Sequence, residues 1–113
     1  MSIGQTPGDC LAAAQIDTGT GTLLARSFGV ASITVNVPLQ DWTVTLTNQA
    51  QTGQDNAWCG SQLYQASGAP VLFAVVELVA PGAWRVQCVD STGALTNATG
   101  PIALIWLRTA TQG

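Results

Sequence analysis

Polar and apolar residues alternate along much of this chain. In residues 32–37 the pattern sets Ile33, Val35 and Val37 on one face, and in residues 41–47 it sets Trp42, Val44 and Leu46 on one face and three threonines on the other. A period of two marks a strand with one buried face. Residues 38–41, Pro-Leu-Gln-Asp, read as the turn between two such strands. Closing the hairpin there puts Val37 opposite Trp42, Val35 opposite Val44 and Ile33 opposite Leu46. On the outer side Asn36, Thr34 and Ser32 then meet Thr43, Thr45 and Thr47, so both faces agree in one register.

A second hairpin follows from residues 70–79, which are apolar on both faces, and residues 83–90, which return after Ala80-Pro81-Gly82. A two-residue turn at Pro81-Gly82 places Glu77 on the core face beside Trp84 and Val86, where an unpaired carboxylate is costly. A three-residue loop, 80–82, moves the register by one. Leu78 then faces Trp84, Val76 faces Val86, Ala74 faces Cys88, and Glu77 sits opposite Arg85 outside. Such loops with glycine in the left-handed position are common closures, so Glu77 and Arg85 are expected to form a cross-strand pair.

Residues 101–109 form a further strand, again apolar on both sides, and residues 20–28 and 56–65 read as two more. Asp9 is placed to cap a short helical turn through residues 10–14, with a loosely ordered arm as the alternative. The expected organisation is therefore an N-terminal arm or helical turn over 1–19 and one domain over 20–113. That domain is all-β: a single antiparallel β-sandwich, Ig-like or jelly-roll-like, or a small barrel, of about seven strands. A two-layer sandwich has one wet face per sheet, yet two strands are apolar on both. The surplus, taken at Leu72, Phe73, Val75, Ile102, Leu104 and Trp106, is expected to be covered by another subunit, with residues 1–28 folding over it as the alternative.

Composition sharpens this picture. Charged residues are 8% of 113, with three Arg, no Lys, no His and a net charge of −3, against about a quarter in an ordinary soluble domain. Histidine catalysis, a lysine Schiff base and a P-loop are excluded, and three scattered Arg supply no footprint for nucleic acid. The most apolar stretch, residues 69–83, is broken by Glu77, Pro81 and Gly82 and is shorter than the roughly 20 residues of a membrane helix, so no membrane association is expected. The first residues carry neither a basic region nor an apolar core, so no signal peptide is expected. Fourteen Thr and ten Gln supply the polarity instead. A neutral polar face is easily desolvated against copies of itself.

Candidate chemistry is sparse. Cys10, Cys59 and Cys88 form no CxxC, so no metal and no cofactor are expected and the thiols read as small buried hydrophobes, with a Cys59–Cys88 bridge as the minor alternative. Asp41, Asp55 and Asp90 stand at turn positions. Asp17-Thr18-Gly19, after Ile16, resembles the Asp-Thr-Gly signature of retroviral-type aspartic proteases, which implies a homodimer whose two Asp17 carboxylates share a proton. The end of the chain departs from that family, since Ala98-Thr99-Gly100 leads through Pro101 into a strand. A plain turn after the first strand accounts for the motif. Of the four tryptophans, Trp42, Trp84 and Trp106 read as core or interface. Trp58, beside Asn56, is the candidate for ligand contact.

In whole-chain character the sequence resembles small bacteriophage virion proteins: compact β domains rich in Thr, Gln, Ala and Gly, poor in charge and lacking catalytic groups. The resemblance implies a non-enzymatic structural protein of a virus particle, a capsid decoration (cement) protein or a spike or tail component, assembled in the host cytoplasm. It implies a homo-oligomer, often a trimer, that also binds the major capsid or another virion protein. The rival from another class is a carbohydrate-binding or adhesion module, which requires a solvent-facing aromatic beside amide groups in a groove.

Overall fold

A computed structural model of the chain describes residues 10–24, 27–47, 57–65 and 71–108. Eight strands carry the fold: β1 (Cys10–Asp17), β2 (Thr22–Leu23), β3 (Val30–Val37), β4 (Asp41–Leu46), β5 (Ala57–Leu63), β6 (Phe73–Ala80), β7 (Ala83–Val89) and β8 (Ile102–Arg108). They form two antiparallel four-stranded sheets, ordered β2-β1-β8-β5 and β3-β4-β7-β6. The architecture is a β-sandwich.

The inner faces follow the alternation. Ala12, Ala14 and Ile16 of β1 and Ile102, Leu104 and Trp106 of β8 pack against Trp42, Val44 and Leu46 of β4 and Trp84, Val86 and Cys88 of β7. Trp84 and Trp106 meet across the two layers edge to face, ring centroids 6.2 Å apart at 64°. That is the arrangement favoured by the ring quadrupoles, worth about 0.5–1.5 kcal/mol beyond burial itself.

Residues 10–17 are a strand, not a helical turn or an arm, so this segment belongs to the sandwich; Asp9 and the rest of the first nine residues lie outside the described residues. Alanine gives no strand signal of its own, but in β1 Ala12, Ala14 and Ile16 are buried in the core between the sheets while the strand pairs with β8, Ala14 with Leu104 and Ile16 with Ile102. Tertiary burial overrides local propensity here.

The β6–β7 register has Leu78 opposite Trp84, Val76 opposite Val86, Ala74 opposite Cys88 and Glu77 opposite Arg85. Its closure differs from the three-residue loop. Ala80 pairs with Ala83 around Pro81-Gly82, and a bulge at Val79 absorbs the extra residue. Pro followed by Gly82 at φ 75° is the type II combination. The bulge lets a two-residue turn coexist with an outward Glu77.

The β3–β4 hairpin is tighter than expected. Val35 pairs with Trp42, Ile33 with Val44 and Thr34 with Thr43, a slip of two residues from the register read in the sequence. The turn runs through Pro38 and Leu39, closed by Gln40 N–H donating to the Val37 carbonyl at 3.0 Å, with Leu39 at φ 66°. Asp41 thereby joins the strand opposite Val37 rather than the turn. A slip of two preserves which side chains face inward, so hydrophobic patterning does not detect it.

Candidate functional site

The outer faces of the two sheets hold the surface features, and each is built by register. On the second sheet, Phe73 of β6 lies opposite Val89 of β7, which bridges on its other side to Leu95. Val75 continues the row along β6. Phe73 is 49% and Val75 45% exposed, and Leu95 is exposed as well. The other four residues expected at an interface are not on the surface. Leu72, Ile102, Leu104 and Trp106 are buried in the chain's own core. In β8 residues 102–107 are all apolar, so the pattern did not fix its inner side; the outward residues among them are Ala103, Ile105 and Leu107.

Beside the apolar row stands a polar cluster that sequence reading missed. Asp41, 1% exposed, accepts hydrogen bonds from Arg85 Nη2 at 2.8 Å and Arg85 Nε at 3.1 Å, from Gln87 Nε2 at 3.1 Å and from Asn36 Nδ2 at 3.2 Å. The Arg85 contact is a side-on fork, with Nε also 3.2 Å from the second carboxylate oxygen. Burial pushes the Asp41 carboxyl up, but the bonds from Arg85, Asn36 and Gln87 and the guanidinium charge outweigh it and hold the group below the usual carboxylate range. Glu77 sits opposite Arg85, yet its role is confined to a longer-range charge on a guanidinium that hydrogen-bonds Asp41. The available signal was positional: Asp41 at the head of β4 pairs with Gln87 and lies one diagonal from Arg85.

The outer face of the first sheet is different in kind. Three cross-strand rows can be read from the ladders: Gln15–Ala103–Gln62, then Ala13–Ile105–Gly60, then Cys10–Leu107–Trp58. Trp58 is 53% exposed. Its indole folds back over Gly60, where a Cβ would sit 2.5 Å from Trp58 Cη2. A side chain at position 60 would displace the ring, so the glycine leaves the space in which the indole lies. Small residues at Ala13, Ala103 and Gly60 leave depressions of about 290, 320 and 200 Å³ that meet at Ala103, with Tyr64 and Pro101 at one end. Asn56, the expected partner of Trp58, lies outside the described residues.

Elsewhere the acids serve turns. Asp17 accepts from Gly19 N–H at 3.1 Å, and its carbonyl accepts from Gly21 N–H at 2.7 Å, while Thr18 Oγ donates to the Gly100 carbonyl at 2.8 Å. Asp90 accepts from Thr92 Oγ at 2.6 Å, Thr92 N–H at 2.9 Å and Ala94 N–H at 3.1 Å, which lowers its pKa. The three cysteines are free thiols, Cys88 buried and the others half-buried. Burial pushes the Cys59 thiol up to about 12. Among the described residues no group of three or more Cys, Asp or Glu side chains is gathered to hold a metal, and no helix is long and apolar enough to cross a membrane. Comparison with known proteins finds no matching family model, no matching curated protein and no matching solved structure.

Proposed function

We propose that this chain is a non-enzymatic structural protein that self-associates, most simply as a trimer, through the outer face of its second sheet, in the setting of a virus particle where it also binds coat subunits. The observation that carries this reading is the Phe73–Val89–Leu95 row, extended by Val75. These side chains form a contiguous apolar strip bordered by the polar Asp41–Arg85–Gln87 cluster. An apolar centre with a polar rim is the anatomy of a protein contact, and with three cations in the whole chain little charge keeps copies apart. A non-catalytic role is supported by the Asp17 carboxylate, which accepts a hydrogen bond from its own turn.

The test is the native mass by light scattering over a range of concentrations. A stable multiple of the 11.6 kDa chain is expected, falling toward the monomer in Phe73→Asp. A monomer at every concentration, or an assembly indifferent to Phe73→Asp and Val75→Asp, refutes the reading. Undiminished behaviour of Asp17→Asn in any proteolysis assay removes the protease alternative.

A further inference from the structure

We infer that the outer face of the first sheet is a binding site for an uncharged oligosaccharide, separate from the assembly face on the opposite sheet. The inference does not depend on self-association. A sugar ring offers an apolar C–H face and a rim of hydroxyls, so a site for it needs a flat aromatic surface beside neutral groups that both donate and accept. Trp58 supplies the flat surface. Its indole lies against Gly60 rather than against a side chain, so the ring rests low on the sheet while half of it stays open to solvent.

The neutral groups lie one and two rows away. Gln62 and Gln15 both pair with Ala103 from opposite sides, which sets the two carboxamides on either side of a methyl-floored depression. Their Cα atoms are two strand spacings apart, roughly 10 Å, room for two linked rings. Each carboxamide offers two N–H donors and a carbonyl acceptor, and among the described residues neither has a hydrogen-bond partner in the protein. Gln15, Gln62, Ile105 and Trp58 have uncharged side chains, and the Asp17 carboxylate at the end of β1 is engaged by its own turn. Concave, largely apolar surfaces with a few convergent polar groups are the usual form of small-molecule sites. A second copy of the chain is the less suitable occupant, because an apolar protein face laid over this depression buries both amides without partners, at a cost.

The experiment uses the full chain and neutral oligosaccharides of cellulose, amylose, xylan, mannan and chitin, with a heparin fragment as the anionic control. Trp42, Trp84 and Trp106 are buried, so quenching of tryptophan emission by acrylamide reads Trp58. Saturable protection of Trp58 by at least one neutral oligosaccharide is expected. Affinity, read for parent and variants alike by isothermal titration calorimetry because substituting Trp58 removes the fluorescent reporter, should fall about tenfold or more in Trp58→Ala, the loss of one stacked aromatic, remain measurable in Trp58→Phe, and fall several-fold in Gln62→Ala and Gln15→Ala. Phe73→Asp, on the other face, should bind as the parent does whatever its mass. The inference is overturned if none of the neutral probes saturates below about 10 mM. It is equally overturned if binding survives Trp58→Ala, if only heparin binds, or if Trp58→Ala changes the native mass instead.

Discussion

Replacing Asp41 by alanine removes the acceptor at the centre of the polar cluster on the second sheet and leaves three donors behind. Arg85 loses its forked contact, and Gln87 and Asn36 lose one bond each. Removing one partner of a fully buried ion pair costs about 3–5 kcal/mol, but the Arg85 side chain is 43% exposed and water can take over part of its solvation. Asn36 also keeps a second partner, Thr43 Oγ at 2.8 Å. The expected loss is therefore about 2–3 kcal/mol for Asp41→Ala, a shift in Tm of roughly 8–12 °C for a chain of this size. For Asp41→Asn, which keeps an acceptor oxygen but not the charge, it is about 1–2 kcal/mol.

Urea titration followed by tryptophan emission, with unchanged m-value, measures both losses. A double-mutant cycle with Arg85→Met isolates the pair. The sign with pH is fixed by the lowered pKa of Asp41. A carboxyl that titrates lower in the folded than in the unfolded chain stabilises the fold above its unfolded pKa, and that contribution vanishes as pH falls through the folded value. Parent and Asp41→Asn should thus differ fully at neutral pH, with the gap narrowing progressively once pH falls below about 4. A loss under about 0.5 kcal/mol for Asp41→Ala, or a gap that does not narrow at all as pH falls below about 4, refutes the claim that charge-assisted bonds hold this corner.

Leu39 at φ 66° occupies backbone space that costs an L-residue about 1–2 kcal/mol. Leu39→Gly should therefore be less destabilising than Leu39→Val, although valine keeps more apolar surface, because a β-branched side chain is least tolerant of positive φ; the opposite order in urea midpoints would show the turn to be unstrained. With its thiol pushed up to about 12 from 9.0, Cys59 should react with iodoacetamide at pH 8 roughly a thousandfold more slowly than a free thiol. Mass spectrometry of timed digests measures this, and labelling of Cys59 at the free-thiol rate contradicts it.

How much of this was legible before the fold was known varies with the kind of constraint. The β6–β7 register could be read because one charged residue, Glu77, is intolerable on the inside, which removes the alternative register by energy rather than by pattern. The β3–β4 hairpin could be read only modulo two residues. Its faces are fixed by Trp42, Val44 and Leu46, but its exact pairing depends on a left-handed leucine, a conformation the residue type does not signal. β8 shows the complementary failure. Ile102, Leu104 and Trp106 alternate with Ala103, Ile105 and Leu107, so hydrophobicity alone cannot say which set is inside; side-chain bulk, largest at Trp106, was the better clue. Asp41 was read as a turn residue because aspartates before strands usually are, and its role depends on Arg85 and Gln87, more than forty residues away. Trp58 was separable from the other tryptophans because Trp42 and Trp84 lay on predicted core faces and Trp106 lay within a run of aliphatics. That Gly60 makes room for its ring needed coordinates.

The indole nitrogens of Trp42, Trp84 and Trp106 are buried and make no hydrogen bond among the described residues. An unmet buried donor costs about 1–3 kcal/mol, so these rings remain for their breadth and flatness, which no smaller side chain matches in bridging the gap between layers. Exchanging nitrogen for sulfur, as in benzothienylalanine, keeps the bicyclic outline and deletes the stranded proton. Such a single-atom change at any of the three positions is expected to raise the urea midpoint without touching either outer face.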